Sequence, residues 1–149
     1  PQAGGVGAKL LFPMFSDDPL RPPGTIQHAG VVFDTARMPY HIFMNWPATH
    51  PKVNRFLMMK ACTGACLLVR RELWEAVGGL NPIYGQGNFE DIEFCMALGE
   101  LGYDIAYNPQ AMLYHWAGGS QNNADADKNA LLFAGRWSHK IESDDWLYW

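Results

Sequence analysis

The sequence predicts an α/β protein in which a mixed β-sheet is flanked by helices. Short runs with strand character alternate with helical stretches, but they do not form a regular βαβ repeat. Of the 149 residues, 48% are hydrophobic and 13% are aromatic, which is enough apolar side chain for a substantial core. We therefore expect one folded domain over residues 1–149, without an internal repeat or a dividing linker.

The N-terminal part of the chain is predicted to contain two strands, at residues 6–12 and 26–33, which pair as a hairpin. Residues 13–24 between them include four prolines and two adjacent aspartates, which is typical of a surface loop. Residues 34–51 are irregular and rich in proline, histidine and aromatic side chains. Because so long a connection is unusual without a function, we expect it to cover a site.

The middle of the chain begins with a short predicted strand at residues 55–60. The tight turn formed by residues 62–65 leads into another strand that ends near Val69. Residues 71–77 have helical character, and the helix is expected to stop at the glycine pair of residues 78–79.

A glycine-rich loop then runs into the helix around which the chain is organised, predicted over residues 88–101. Its apolar side chains recur at helical spacing on a broad stripe, so the helix is expected to be largely buried. Gly102 is placed to end it in a left-handed cap. The first turn carries the carboxylates Glu90, Asp91 and Glu93, near the positive end of the helix dipole.

Two interpretations of these carboxylates remain open from the residues alone. In one, Asn88 is the N-cap and Asp91 completes an arrangement close to a capping box. In the other, a carboxylate held beside a flexible glycine loop accepts a proton from a bound hydroxyl group.

The C-terminal part is predicted to add strands at residues 105–107 and 111–115, interrupted at Pro109. A polar loop at residues 118–123 follows, and an amphipathic helix is predicted over residues 125–141. The aromatic tail at residues 144–149 is expected to dock on the body of the protein.

Charge and cysteine content exclude some classes of protein. The net charge of -4 and the lack of a basic run argue against nucleic-acid binding. No apolar run approaches the length of a membrane span, and no signal peptide is recognisable. Cys62, Cys66 and Cys95 lack a second metal-ligand pair at zinc-finger spacing, so we interpret them as buried free thiols. Free thiols are typical of a reducing compartment, so we expect a protein that lies in the cytoplasm or peripherally at the inner face of the membrane.

An ordered set of short stretches resembles one family. The chain reads VGAKLLFP at residues 6–13, GTIQHAGV at 24–31, TGACLLVRR at 63–71, VGGL at 77–80 and EDIEFC at 90–95. Gly102-Tyr103, Tyr107-Asn108-Pro109 and Tyr114-His115 complete the set. In this order and spacing they resemble the C-terminal, acceptor-side half of the GT-A glycosyltransferases of family 2. The resemblance spans residues 6–115 and extends towards residue 137.

The resemblance implies a partial GT-A fold, the Rossmann-like fold of nucleotide-diphospho-sugar transferases. It implies an enzyme that transfers a sugar from a nucleotide-diphospho-sugar to an acceptor hydroxyl, on a carbohydrate or another molecule, with inversion. Glu90-Asp91 matches the family's Glu-Asp pair, which makes Asp91 the expected catalytic base and Glu90 its neighbour in the site. Thr63, Gly64 and Ala65 match the loop beside sugar and acceptor.

The resemblance also suggests roles for the residues after the last strand. His115 matches a residue that in some GT-A enzymes helps to hold the divalent metal or the diphosphate, with a structural histidine as the alternative. Independently of the resemblance, the aromatic side chains of Trp116, Trp46 and His50 offer faces for a sugar ring, although plain packing is the more common role of such side chains. In the intact enzyme the metal would be Mn²⁺ or Mg²⁺.

The sequence also departs from the family pattern. The family's nucleotide-binding half and its Asp-x-Asp metal motif precede the matched region, and almost nothing precedes Val6 here. Asp125 and Asp127 form a literal Asp-x-Asp, but at a helix start they are interpreted as capping charges. Arg136-Trp137 resembles the end of the Gln-x-x-Arg-Trp signature, but Phe133 replaces the glutamine, which argues against a processive synthase.

We therefore expect the acceptor-side half of a glycosyltransferase, inactive as an isolated fragment. The alternative is a non-catalytic binding or assembly module derived from such a half. Because removal of the other half would leave a strand edge and apolar side chains uncovered, a homo-oligomer is expected.

Overall fold

A computed structural model describes residues 2–85, 87–116 and 125–149 of the chain. Five strands form the main sheet: β1 (Gln2–Leu11), β2 (Ile26–His28), β5 (Leu57–Met59), β6 (Leu67–Val69) and β7 (Tyr103–Tyr114). Two more strands, β3 (Val31–Phe33) and β4 (Pro39–His41), form a separate antiparallel pair. The α-helices of the described part are α1 (Arg71–Val77), α2 (Glu90–Glu100) and α3 (Ala126–Trp137).

Strand β1 lies at the centre of the main sheet. It runs parallel to β7 on one side and antiparallel to β6 and β2 on the other, and β5 adds antiparallel to the far side of β7. The protein is thus mixed α/β with a mixed sheet flanked by helices, as predicted, and it is compatible with a partial Rossmann-like fold. Because β1 and β7 are parallel, both carboxyl ends reach the same edge of the sheet, where ligand sites of such sheets usually form.

The core lies on both sides of α2. Phe94 and Leu98 face the sheet and contribute to a large cluster with Ile105 and Tyr107 of β7. A second cluster joins α3 to the body through Phe33, Tyr84, Phe133, Trp137 and Ile141. The two clusters fix the start of α2 relative to the sheet edge, since burial of each large apolar side chain stabilises the fold by roughly 1.5–3 kcal/mol.

The prediction of a single strand over residues 26–33 is wrong, because this segment is divided at Gly30 into β2 and β3. This residue has a φ of +111°, which glycine adopts without strain, and a Cβ there would lie 2.0 Å from the sulfur of Met59. The chain leaves the main sheet at this point, so only β2 pairs with β1. The expected irregular segment at residues 34–51 includes the short strand β4.

The two strands predicted around Pro109 are one continuous strand, β7. Its register against β1 shifts between Ala8 and Lys9, whose partners are Asn108 and Met112. Pro109 has no N–H to donate, and it lies among the extra residues accommodated at this irregularity. The proline therefore interrupts the ladder without ending the strand.

The helix boundaries differ from the predicted ones mainly at two ends. Helix α2 begins at Glu90 rather than Asn88, and α3 ends at Trp137, with a 3-10 turn over Ser138–Lys140 in place of its last turn. The glycine stops are confirmed: Gly78 caps α1 in the left-handed conformation, and Gly102, with φ +86°, follows α2. The polar loop predicted at residues 118–123 lies outside the described residues.

The aromatic tail docks as predicted. The Asp144 carboxylate accepts a hydrogen bond from the Phe33 amide at 2.8 Å, which ties the tail to β3. The Trp149 ring lies 5.1 Å from that of Phe43 and 5.6 Å from that of Trp46, so these aromatic side chains pack against one another.

The cysteines carry free thiols, but Cys66 is only half-buried, whereas Cys62 and Cys95 are buried. No described helix has the length and apolar character needed to cross a membrane.

Candidate functional site

A cleft of about 580 Å³ opens at the carboxyl ends of β1 and β7. Phe12 follows β1 and His115 follows β7, and the His115 amide donates to the Leu11 carbonyl at 3.0 Å, which closes the two strand ends together. The loop after β1, strand β4 and the start of α2 supply the other walls. Of the site residues expected from sequence, the structure places five in the lining: Thr63, Glu90, Asp91, His115 and Trp116.

The Asp91 carboxylate is held by donors from two directions. Its Oδ2 accepts from the Gly64 amide at 2.6 Å and from the Thr63 hydroxyl at 3.2 Å, and its Oδ1 accepts from the Ile92 amide at 2.8 Å. The interpretation in which Asn88 caps the helix is wrong, since the cap position is Phe89 and no side chain caps there. Asp91 instead joins the start of α2 to the Thr63–Gly64 turn.

The backbone before Asp91 adopts an uncommon conformation. Asn88 and Phe89 are consecutive non-glycine residues with φ of +70° and +78°. Left-handed residues of this kind cost of order 1–3 kcal/mol each and cluster at functional sites. Both residues line the cleft, so this strained turn delivers the first carboxylates of α2 to its wall.

Glu90 lies next to Asp91 in the cleft wall, in a different environment. Burial raises the pKa of Glu90, and the neighbouring charge of Asp91 raises it further. Its Oε2 is buried and accepts no hydrogen bond from the described residues. Two adjacent carboxyl groups are thus held differently: Asp91 by three donors, and Glu90 with an oxygen left for another partner.

The Thr63–Ala65 turn contributes to the site mainly through Thr63. Gly64 and Ala65 are exposed and lie outside the cleft lining. A Cβ on Gly64 would lie 2.9 Å from the Asp91 Cβ, so the absence of a side chain there makes room for Asp91. The resemblance had placed this loop beside the sugar and the acceptor, and the structure brings the Asp91 carboxylate against its glycine.

His115 and Trp116 lie at the mouth of the cleft. His115 Nδ1 lies 2.8 Å from the Gln27 side-chain oxygen, so it carries the proton that this oxygen accepts. Trp116 is 67% exposed and leaves an aromatic face on the cleft. Within the described parts of the chain, no three His, Cys, Asp or Glu side chains gather where they would hold a metal ion. His115 alone does not make a divalent-cation site.

Sequence reasoning missed two histidines of this region. His28 is fully buried, and its Nδ1 lies 3.2 Å from Nδ1 of His41, which lines the cleft. Burial lowers the pKa of His28 well below its ordinary value, and His41 and His115 lower it further. For His41, the sequence signal was its position in the irregular segment that was expected to cover a site. For His28, the only signal was its position in the stretch that matches the family.

Glu93 turns away from the cleft and supports it from behind. Its carboxylate accepts hydrogen bonds from four side chains: Asn81, Tyr84, Arg136 and Trp137. Arg136 and Trp137, which resembled part of a synthase signature, therefore bind a buried carboxylate of α2. Their contact fixes α3 against the helix that carries Asp91.

The chain was compared with models of protein families and with known proteins. No model of a known protein family matches the chain. It is 34% identical over 137 residues to the uncharacterized protein y4gI of Sinorhizobium fredii (strain NBRC 101917 / NGR234), covering 89% of this chain and 14% of that protein. It is 32% identical over 154 residues to the O-antigen biosynthesis protein RfbC of Myxococcus xanthus, covering 99% of this chain and 11% of that protein. The chain thus spans a small part of the relatives it matches, and nearly all of it is similar to a segment of a protein named for O-antigen biosynthesis.

Proposed function

We propose that this chain is the acceptor-side part of an inverting glycosyltransferase of the GT-A, family 2 type. The observation that carries the proposal is the Asp91 carboxylate, anchored at 2.6 Å by the Gly64 amide in a cleft at the carboxyl ends of two parallel strands. The similarity to an O-antigen biosynthesis protein supports a role in building a carbohydrate. The ordered motifs around Glu90-Asp91 support the type of reaction.

In the proposed reaction Asp91 accepts the proton of an acceptor hydroxyl. The oxygen attacks the anomeric carbon of a nucleotide-diphospho-sugar, a new C–O bond forms, and the bond to the diphosphate breaks on the opposite face of the sugar. The diphosphate departs with the electron pair of that bond. A base in hydrogen-bond reach contributes ~10²–10⁴-fold to such a step. The donors from the Thr63–Gly64 turn hold the carboxylate in place while the proton moves.

The walls of the cleft suit a sugar substrate. Trp116 and Phe89 offer aromatic surface, and Met44 adds an apolar edge. Aromatic faces pack on the apolar faces of sugar rings, while the carboxyl groups of Glu90 and Asp91 accept from their hydroxyls. A divalent ion in the complete reaction would take most of its ligands from outside the described residues.

The test replaces Asp91 by asparagine in the full-length protein and measures nucleotide diphosphate release from a panel of nucleotide-sugars. We expect a ~10²–10⁴-fold lower rate. The loss of stability should be about 1–3 kcal/mol, since the amide keeps the shape of the carboxylate but turns its NH₂ group towards either the Ile92 or the Gly64 amide. Asp18→Asn is the matched control, because it removes a carboxylate from the same cleft without touching α2. If the folded Asp91→Asn protein turned over normally, Asp91 would be a structural clamp and the proposal would fail.

A further inference from the structure

A pair of histidines lies beneath the cleft, between the two sheets. His28 ends β2 of the main sheet and is fully buried, whereas His41 ends β4 of the strand pair and reaches the cleft. Their ring centroids lie 4.8 Å apart in an edge-to-face arrangement, with the Nδ1 atoms 3.2 Å apart. The proposed reaction as described above uses neither side chain, yet His28 lies beside Thr63, whose hydroxyl contacts Asp91.

The backbone amide of Thr63 determines which nitrogen of His28 is protonated. This amide points at His28 Nε2 from 3.3 Å, and a backbone N–H can only donate, so Nε2 accepts. A neutral imidazole then has its proton on Nδ1, which faces Nδ1 of His41. His41 Nδ1 therefore accepts, and its own proton lies on Nε2.

One neighbour favours the opposite arrangement. The Gln27 carbonyl lies 3.2 Å from His41 Nδ1 and would favour a proton at that atom. Such a proton would face the Nδ1 proton of His28 and leave this fully buried donor without an acceptor, at a cost of about 1–3 kcal/mol. Burial lowers the pKa of both rings, so a doubly protonated ring does not relieve the conflict near neutral pH. The Thr63 amide thus sets the proton positions of both histidines.

The same short turn is held from its other side by Asp91. The carboxylate accepts from the Thr63 hydroxyl and the Gly64 amide, while His28 accepts from the Thr63 amide. Gly64 is exposed, so its position depends on these contacts and not on burial. His28 is immobilised by the core, and it therefore acts as the fixed point against which the turn and the carboxylate are placed.

We propose that His28 is a positioning residue that holds Asp91 through the Thr63–Gly64 turn, and that His41 presents its Nε2–H to an oxygen atom of the ligand in the cleft. Because Nδ1 of His41 faces His28 and Gln27, the far edge of the ring carries Nε2, and no described residue bonds to it. The ligand is one rich in oxygen acceptors, such as a sugar or its diphosphate. These roles rest on the proposed function for the part played by Asp91.

The proton positions can be tested without any substrate. In the ¹⁵N-labelled chain, correlation of the imidazole nitrogens with the ring protons at neutral pH should show His28 protonated at Nδ1 and His41 at Nε2. The reverse tautomer at His28 would overturn the proposal. This result is independent of catalysis, so it remains informative if the transferase assignment fails.

Two substitutions at His28 separate positioning from space filling. The amide group of His28→Gln can accept from Thr63 and donate to His41, whereas His28→Leu fills similar volume with neither. We expect the Gly64 amide to exchange with solvent roughly threefold to tenfold faster in His28→Leu, and at the wild-type rate in His28→Gln. Equal exchange in the two variants would refute the positioning role. If His28→Leu does not fold, the tautomer measurement still decides.

Kinetics of the full-length protein test the two roles separately. His28→Leu should lower kcat by ~10-fold to ~100-fold through misplacement of Asp91, with a smaller change in KM and recovery in His28→Gln. His41→Phe should chiefly raise KM, and His41→Gln should restore it by returning an N–H donor. An unchanged KM in His41→Phe would remove His41 from the ligand site. Loss of activity in Asp91→Asn together with wild-type kinetics in His28→Leu would refute the inference and leave the proposed function standing.

Discussion

Replacement of Glu93 by glutamine tests how helix α2 is held in place. Glu93 is only 6% exposed, and its carboxylate accepts from the Trp137 indole at 2.7 Å and from Arg136 at 2.9 and 3.0 Å. Asn81 and Tyr84 donate to the same group. Glutamine has the same shape but is neutral, and its NH₂ would face donors, so the substitution removes the charge and at least one acceptor.

The expected cost follows from the pKa of Glu93. Burial alone would raise this pKa, but hydrogen bonds from Arg136, Tyr84, Asn81 and Trp137 outweigh burial and lower it from 4.5 to about 2. At 1.36 kcal/mol per pKa unit, the charged form stabilises the fold by about 3 kcal/mol at neutral pH. Loss of one partner from a buried ion pair commonly costs a similar amount, about 3–5 kcal/mol.

The sign of the pH dependence is also determined. Because the pKa is lower in the folded protein, the unfolded chain binds more protons between pH 4.5 and about 2. The stabilisation by Glu93 is therefore complete above pH 4.5 and declines as the pH falls towards 2. The difference between wild-type and Glu93→Gln protein should shrink over the same range.

Urea denaturation of both proteins at a series of pH values measures this difference. Glu100→Gln is the matched control, since Glu100 lies on the same helix, is exposed and pairs with Lys140 at the surface. Its loss should cost less than about 1 kcal/mol. A cost below about 1 kcal/mol for Glu93→Gln at neutral pH, or a cost that does not change on acidification, would refute the reasoning.

Three further predictions follow from individual contacts. Gly30→Ala should destabilise the protein by more than ~3 kcal/mol, because the added Cβ would meet the Met59 side chain. Gly102→Ala should cost only about 1–2 kcal/mol, because the space around Gly102 is open. Thermal denaturation of the two variants measures this difference. The chain should self-associate, since the outer edge of β6 pairs with no described strand and its Leu68 is 74% exposed; a monomer in sedimentation equilibrium with weak dye binding would contradict this. The isolated chain should bind UDP weakly or not at all, even with Mn²⁺, because no three His, Cys, Asp or Glu side chains of the described residues gather to hold a metal ion. Tight binding in isothermal titration calorimetry would contradict this prediction.

Most of the secondary structure could be predicted from the sequence because its signals are local. Glycines at 78 and 102 stop helices through their own backbone freedom, and apolar periodicity identifies α2 without reference to other elements. The errors occur where a distant contact overrides the local signal. Gly30 divides a strand because Met59 occupies the space beside it, and β7 continues through Pro109 because β1 accommodates the shift.

For the candidate site, too, the sequence identified residues, whereas their contacts depend on the tertiary structure. The order of motifs along the chain singled out Asp91, Glu90, Thr63 and His115, and the aromatic side chain of Trp116 added that residue. The parallel pairing of β1 and β7 gathers them into one cleft. The sequence by itself singled out these side chains as candidates, because a motif records residue types and spacing. Only the tertiary structure decided what each of them touches: Gly64 makes room for Asp91, and His28 meets His41 and the Thr63 amide. Such contacts join residues far apart in sequence, and packing between elements, which no local pattern records, brings them within hydrogen-bond distance.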